Sequence, residues 1–114
     1  MTDVFKTNAT GAAAIAASDT VPSDWPSLYK LVSVTLSLNV APTTSENYTI
    51  TLNANAGAAY DVLLYSLDLS AVSVTDLVWF PDAPLLLEAG DAIDVAYANT
   101  DTKTYGVQIT MEAV

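Results

Sequence analysis

The chain alternates apolar and polar residues over much of its length. Val32, Val34, Leu36, Leu38 and Val40 fall on one side of an extended segment, with Ser33, Thr35, Ser37 and Asn39 on the other. A period of two suits a strand half-buried on a sheet, and a helix cannot gather it into one stripe. The rhythm returns with Tyr48, Ile50 and Leu52, with Ile93, Val95 and Tyr97, and with Tyr105, Val107, Ile109 and Met111. Shorter apolar runs at 77–80 and 85–87 predict further strands, and the run at 61–69 suits a strand or a short helix.

Turn chemistry separates these runs. Residues 41–47 (APTTSEN), 53–59 (NANAGAA), 88–91 (EAGD) and 99–102 (NTDT) are small and polar. Pro81 and Pro84 forbid a regular ladder between them, because proline brings no amide donor. The strand ending near Val40 and the one starting at Tyr48 read as an antiparallel hairpin with a long loop. No amphipathic helical pattern intervenes, so parallel βαβ units are not expected. The pattern predicts an all-β antiparallel sandwich, of the jelly-roll kind, with about seven or eight strands. Residues 28–114 form its domain. Residues 1–27 read as an N-terminal arm or edge segment, in which Val4–Lys6 suggests an edge strand.

Composition narrows the function. Three basic residues, Lys6, Lys30 and Lys103, face thirteen acidic ones, for a formal net charge of −10. Nucleic acid and anionic membranes are both gripped by clusters of Lys and Arg, so neither is an expected partner. The chain has no cysteine and no histidine. That removes disulfides, thiolate metal sites, and any Ser-His-Asp or Cys-His centre. The apolar segment 11–17 is short and lacks a basic lead-in, so a secretory leader is not expected.

Carboxylates are the remaining candidates for chemistry. Asp91 and Asp94 sit three apart at a turn and on a polar strand face, with Asp82 and Asp101 in nearby loops. A glycosidase needs two carboxyls across a cleft, and calcium needs a set of converging oxygens. The plainer reading is solvated surface charge, so no catalytic, cofactor or metal residue is assigned and no enzyme is expected. Trp25, Trp79, Phe80 and Tyr97 suggest either a sugar-stacking platform or packing surface. Trp79 and Phe80 are adjacent, so on a strand they face opposite ways and one stands outside the core. Trp25, Trp79 and Phe80 are therefore the candidate interface residues. The polar faces are rich in Ser and Thr and poor in charge, which suits covering by a neighbouring chain.

The run LVWFPDAPLLLEAGD (77–91), continued by AIDVAYANTD (92–101), together with APTTSENYTITL (41–52), resembles small virion proteins of tailed bacteriophages. The resemblance covers roughly residue 28 to the end and rests on strand and turn patterns. It implies a jelly-roll capsid decoration, or cement, protein on the outer shell. Such a protein is made in the host cytoplasm, commonly forms a homotrimer and binds the major capsid protein. An alternative of another class is a carbohydrate-binding or host-recognition module of a phage fibre or spike, which requires an exposed aromatic pair beside polar loops.

Overall fold

The computed structural model of the chain describes residues 4–22 and 28–114. These fold into two packed antiparallel sheets. The strands are β1 (Val4–Gly11), β2 (Ile15–Thr20), β3 (Tyr29–Leu38), β4 (Asn47–Asn53), β5 (Val62–Asp68), β6 (Asp76–Trp79), β7 (Leu85–Leu87), β8 (Ala92–Tyr97) and β9 (Tyr105–Ala113), with one 3-10 turn at Ala58–Tyr60. The first sheet has the order β1-β9-β3-β6, with β7 also paired to β3; the second has the order β2-β8-β4-β5.

β6 and β7 are two halves of one edge strand. β6 pairs with the upper part of β3, from Val34↔Trp79 to Ser37↔Asp76, and β7 with its lower part, from Tyr29↔Leu87 to Leu31↔Leu85. The Pro-containing segment 80–84 interrupts them, where neither proline can donate to a ladder. Counted this way the sandwich has eight strands, four to a sheet. The chain is one long nested hairpin: β4 with β5 at the tip, then β3 with β6/β7, β2 with β8, and β1 with β9. The nest rolls up through β3–β9 and β4–β8 pairing, which is the jelly-roll arrangement.

One expectation needs correction. The strands β3 and β4 do not form a hairpin: they lie in different sheets, and the 39–46 loop carries the chain across the sandwich. Within the segment read as an arm or edge segment, residues 4–20 supply one edge strand to each sheet, β1 and β2.

The core follows the period-two residues, with one change of phase. Val34, Leu36 and Leu38 are buried as the alternation requires, yet so are Tyr29 and Leu31 of the opposite parity. A bulge at Val32, between Leu31 and Ser33, adds one residue and reverses the facing of the strand. Val32 itself is only half-buried, and Val40 is exposed beyond the strand end. From the second sheet, Tyr48, Ile50, Ile93, Val95 and Tyr97 complete the interior. Each fully buried Ile or Val of this set stabilises the fold by roughly 1.5–3 kcal/mol through removal of apolar surface from water.

A neutral sheet face as the candidate assembly surface

The outer face of the β1-β9-β3-β6/β7 sheet is set by register. One cross-strand row runs Lys6, Thr110, Ser33; the next runs Asn8, Gln108, Thr35, Val78; the third runs Thr10, Gly106, Ser37, Asp76. Towards the chain ends a fourth row brings Glu112, Lys30 and Leu86 together. Partners directly opposite in a ladder share a face, and the residues between them point into the core. The face therefore consists mainly of small hydroxyl side chains, with two lysines against two acids. It is formally neutral in a chain of net charge −10. Lys30 and Glu112 lie 4.0 Å apart, the sole ion pair among the described residues.

Two hollows mark this face. One of about 360 Å³ opens over Gly106, between Thr10, Thr35, Ser37 and Gln108. A Cβ built on Gly106 meets nothing within 4 Å, so the glycine leaves open space. The other, about 450 Å³, lies between Lys30, Val32, Glu112 and the 80–84 loop. Large apolar side chains stand exposed on the same edge: Phe80, which lines the second hollow, is 64% exposed, Val78, opposite Thr35, 63% and Leu86, opposite Lys30, 55%.

The predicted interface aromatics separate. Trp25 lies outside the described residues. Trp79 turns inward and stacks on Tyr65 of the opposite sheet, with ring centroids 5.9 Å apart and planes at 30°. It closes the β5/β6 edge of the sandwich and offers little surface. Phe80 faces outward, as the strand geometry required of one of the pair. Tyr97 is buried, so no exposed aromatic platform forms among the described residues. Val78, Leu86 and the space over Gly106 carry the surface instead. Their only trace in the sequence is a glycine in the polar phase of β9, opposite Ser37, and apolar residues in the polar phase of an edge strand.

The carboxylates hold loops together; solvated surface charge is too plain a description of them. Asp91 is buried and accepts the Asn55 amide at 2.8 Å and the Glu88 amide at 3.0 Å, tying the β7–β8 turn to the β4–β5 connection. Asp94 lies on the outer face of the second sheet and accepts the Ser18 hydroxyl at 2.6 Å. The two do not share a cleft. Asp101 accepts the amides of Thr43 and Thr44 at 2.7 and 2.9 Å and both their hydroxyls. Hydrogen bonds from Thr44, then from Thr43, hold its pKa at about 2. Asp68 is lowered by hydrogen bonds from Ser45 and Ser70, and Glu46 accepts from Thr100. Consecutive residues of the β3–β4 loop are thus stitched to the β5–β6 and β8–β9 connections. Among the described residues no group of three or more acidic side chains is arranged to hold a metal ion.

Asp19 behaves differently. Its place opposite Ile93 in β2 turns it inward at the edge of the sandwich. Burial pushes its pKa up, against a hydrogen bond from Thr7. An inward carboxylate on an edge strand discourages pairing with a foreign strand, because pairing would bury the charge. The broken β6/β7 edge and the extra residue Leu64 in β5 act to the same end.

The fold and surface define a jelly-roll domain with one formally neutral sheet face. No family model matches the chain, and no curated protein matches its sequence. Among solved structures, it is similar to a chain of the acid-stable capsid of Helicobacter pylori bacteriophage KHP30. The identity is 14% and the TM-score 0.53, over 96% of this chain and 94% of that one. At this identity the likeness is one of fold. The crystal structure of FLHE also matches, at 10% identity over 98% of this chain and 96% of that one, but its TM-score of 0.42 is too low to carry an argument.

Proposed function

We propose that the chain is a structural protein of a phage virion, a decoration or cement subunit on the outer capsid surface. It acts by burying sheet surface against copies of itself and the major capsid protein, without turnover of any substrate. The observation that carries this reading is the fold match to a chain of a phage capsid across nearly the whole length of both. The neutral, hydroxyl-lined face agrees with it. A long solvated face is ordinarily protected by charge, and a chain this acidic has ample carboxylates that lie elsewhere. Many copies bound on a lattice also gain stability by mass action, which offsets the modest core of a small domain. The net charge of −10 keeps such a subunit off packaged DNA.

The test is co-sedimentation of the purified chain with shells of the phage that encodes it, stripped of accessory proteins. Saturable binding that raises the temperature of shell disruption is expected. Absence of binding at micromolar concentration refutes the reading. The carbohydrate-binding alternative has less geometric support, because Trp79 is turned inward and Phe80 has no stacked aromatic neighbour among the described residues. A glycan array checks it directly.

A further inference from the structure

We propose that two copies of this chain stack the outer faces of their β1-β9-β3-β6/β7 sheets about a two-fold axis that runs along the strands, between β9 and β3. The inference deepens the reading of the chain as a self-assembling subunit and rests on it. Three properties of the face favour a second copy as its occupant.

The first is charge. Two chains of net charge −10 repel each other over most of their surface, and this face is where the repulsion is least. A two-fold along the strands exchanges the column of β3 for that of β9 and the column of β1 for that of β6/β7. Lys30 and Glu112 occupy the same row on β3 and β9, so each lysine meets the glutamate of the second copy. Lys6 on β1 comes over the other copy's 80–84 loop, which contains Asp82. An axis across the strands instead sets Lys30 over the row of Ser37 and opposes no unlike charges.

The second is shape. The same operation carries the exposed Val78 of β6 over the row of Asn8, beside the 360 Å³ hollow at Gly106. A projecting apolar side chain thus meets an open space, and Ser and Thr elsewhere on the face let the two sheets approach closely. The third is size. Four strands and four rows span roughly 500 Å² of projected sheet, with Phe80 and Leu86 added at the flank. That is the scale of the ~800 Å² of accessible surface that each partner buries in a stable interface.

Light scattering on the full-length chain tests this. The expected mass is that of two chains of 12.0 kDa. Thr35→Glu places a carboxylate near the centre of the face and is expected to halve the mass. Thr51→Glu, on the outer face of the other sheet, is expected to leave it unchanged. The decisive arm does not depend on one variant. Lys30→Glu and Glu112→Lys chains are each expected to be monomeric alone, since like charges then oppose each other, and to form a mixed dimer when combined. A monomeric or trimeric wild-type chain, a dimer indifferent to Thr35→Glu, or failure of the two charge variants to pair overturns the stacking. Shell binding by a chain that stays monomeric overturns the stacking and leaves the capsid reading in place. A dimer with no affinity for shells supports the stacking and refutes the capsid reading.

Discussion

Tyr48 offers a direct test of how this core is balanced. Its side chain is 0% exposed, and its hydroxyl has no hydrogen-bond partner among the described residues. The neighbouring Tyr97 hydroxyl is in the same position. Each gives up its bonds to water on folding without replacing them, at a cost of about 1–3 kcal/mol. Tyr48→Phe removes that oxygen and keeps the ring, so no large cavity opens and the packing contribution is retained. Taking the lower end of the range, the variant should be more stable by about 1 kcal/mol, with a midpoint roughly 4 °C higher. Urea titration at neutral pH, with the slope against denaturant unchanged, is the assay. A second signature lies at alkaline pH. Burial pushes the Tyr48 pKa up, with the Tyr65 charge adding to it. A group that loses its proton more easily when unfolded favours the folded state below the unfolded pKa, near 10, and that contribution is lost as pH rises above it. Tyr48→Phe should therefore flatten the loss of stability above about pH 10. A variant destabilised by 1 kcal/mol or more, with the alkaline slope intact, refutes the reasoning, because it shows the hydroxyl to be bonded in the folded chain.

Other expectations follow from the carboxylates and turns. Asp101→Asn should loosen the β3–β4 and β8–β9 loops at neutral pH, seen as faster amide exchange at Thr43 and Thr44. In the parent chain the lowered pKa of about 2 means that this support is full above the ordinary carboxylate range and is lost as pH falls towards 2. Asp19→Asn should act with the opposite sign. The Asp19 pKa is raised by burial, so the parent gains relative stability only when the group is protonated and loses it as pH rises; the variant should be the more heat-stable at pH 7 and no better at pH 3. Gly90→Ala should destabilise by about 1–2 kcal/mol, because Gly90 has φ +89° and a Cβ there comes within 2.6 Å of Asn55. Thermal melting measures it, and an unchanged midpoint counts against the strained-turn account.

The strands were legible from alternation because burial on one face leaves a direct imprint on residue type. Ile93, Val95, Val107, Ile109 and Met111 all lie where the period placed them. Strand partners were not legible. Alternation records which face is buried and is silent on which strand lies alongside, so β3 and β4 read as a hairpin although the 39–46 loop spans the two sheets. β1 and β2 were weak in sequence because edge strands pack one face lightly: Ala16, Ser18 and Thr20 are exposed and Asp19 points inward. The bulge at Val32 hid for a similar reason. A run of β-branched and leucine residues reads as continuous even where one residue is inserted. Of the candidate surface, the hydroxyl stripe Ser33, Thr35, Ser37 was visible from the sequence. The hollow over Gly106 was not, since it depends on β1 and β9 lying beside β3.

The nested order of pairing constrains how the chain matures on the ribosome. β8 and β9, which follow the other strands of this fold in chain order, sit in the middle of their sheets, flanked by β2 and β4 and by β1 and β3. Until they emerge, only the inner hairpins, β4 with β5 and β3 with β6/β7, have their partners, and neither sheet is complete. Closure joins Val4 to Glu112, so a nascent chain that still lacks β9 lacks the seam that unites both halves. Subunits built this way become competent for assembly only once β9 has been made, which keeps half-made domains from docking.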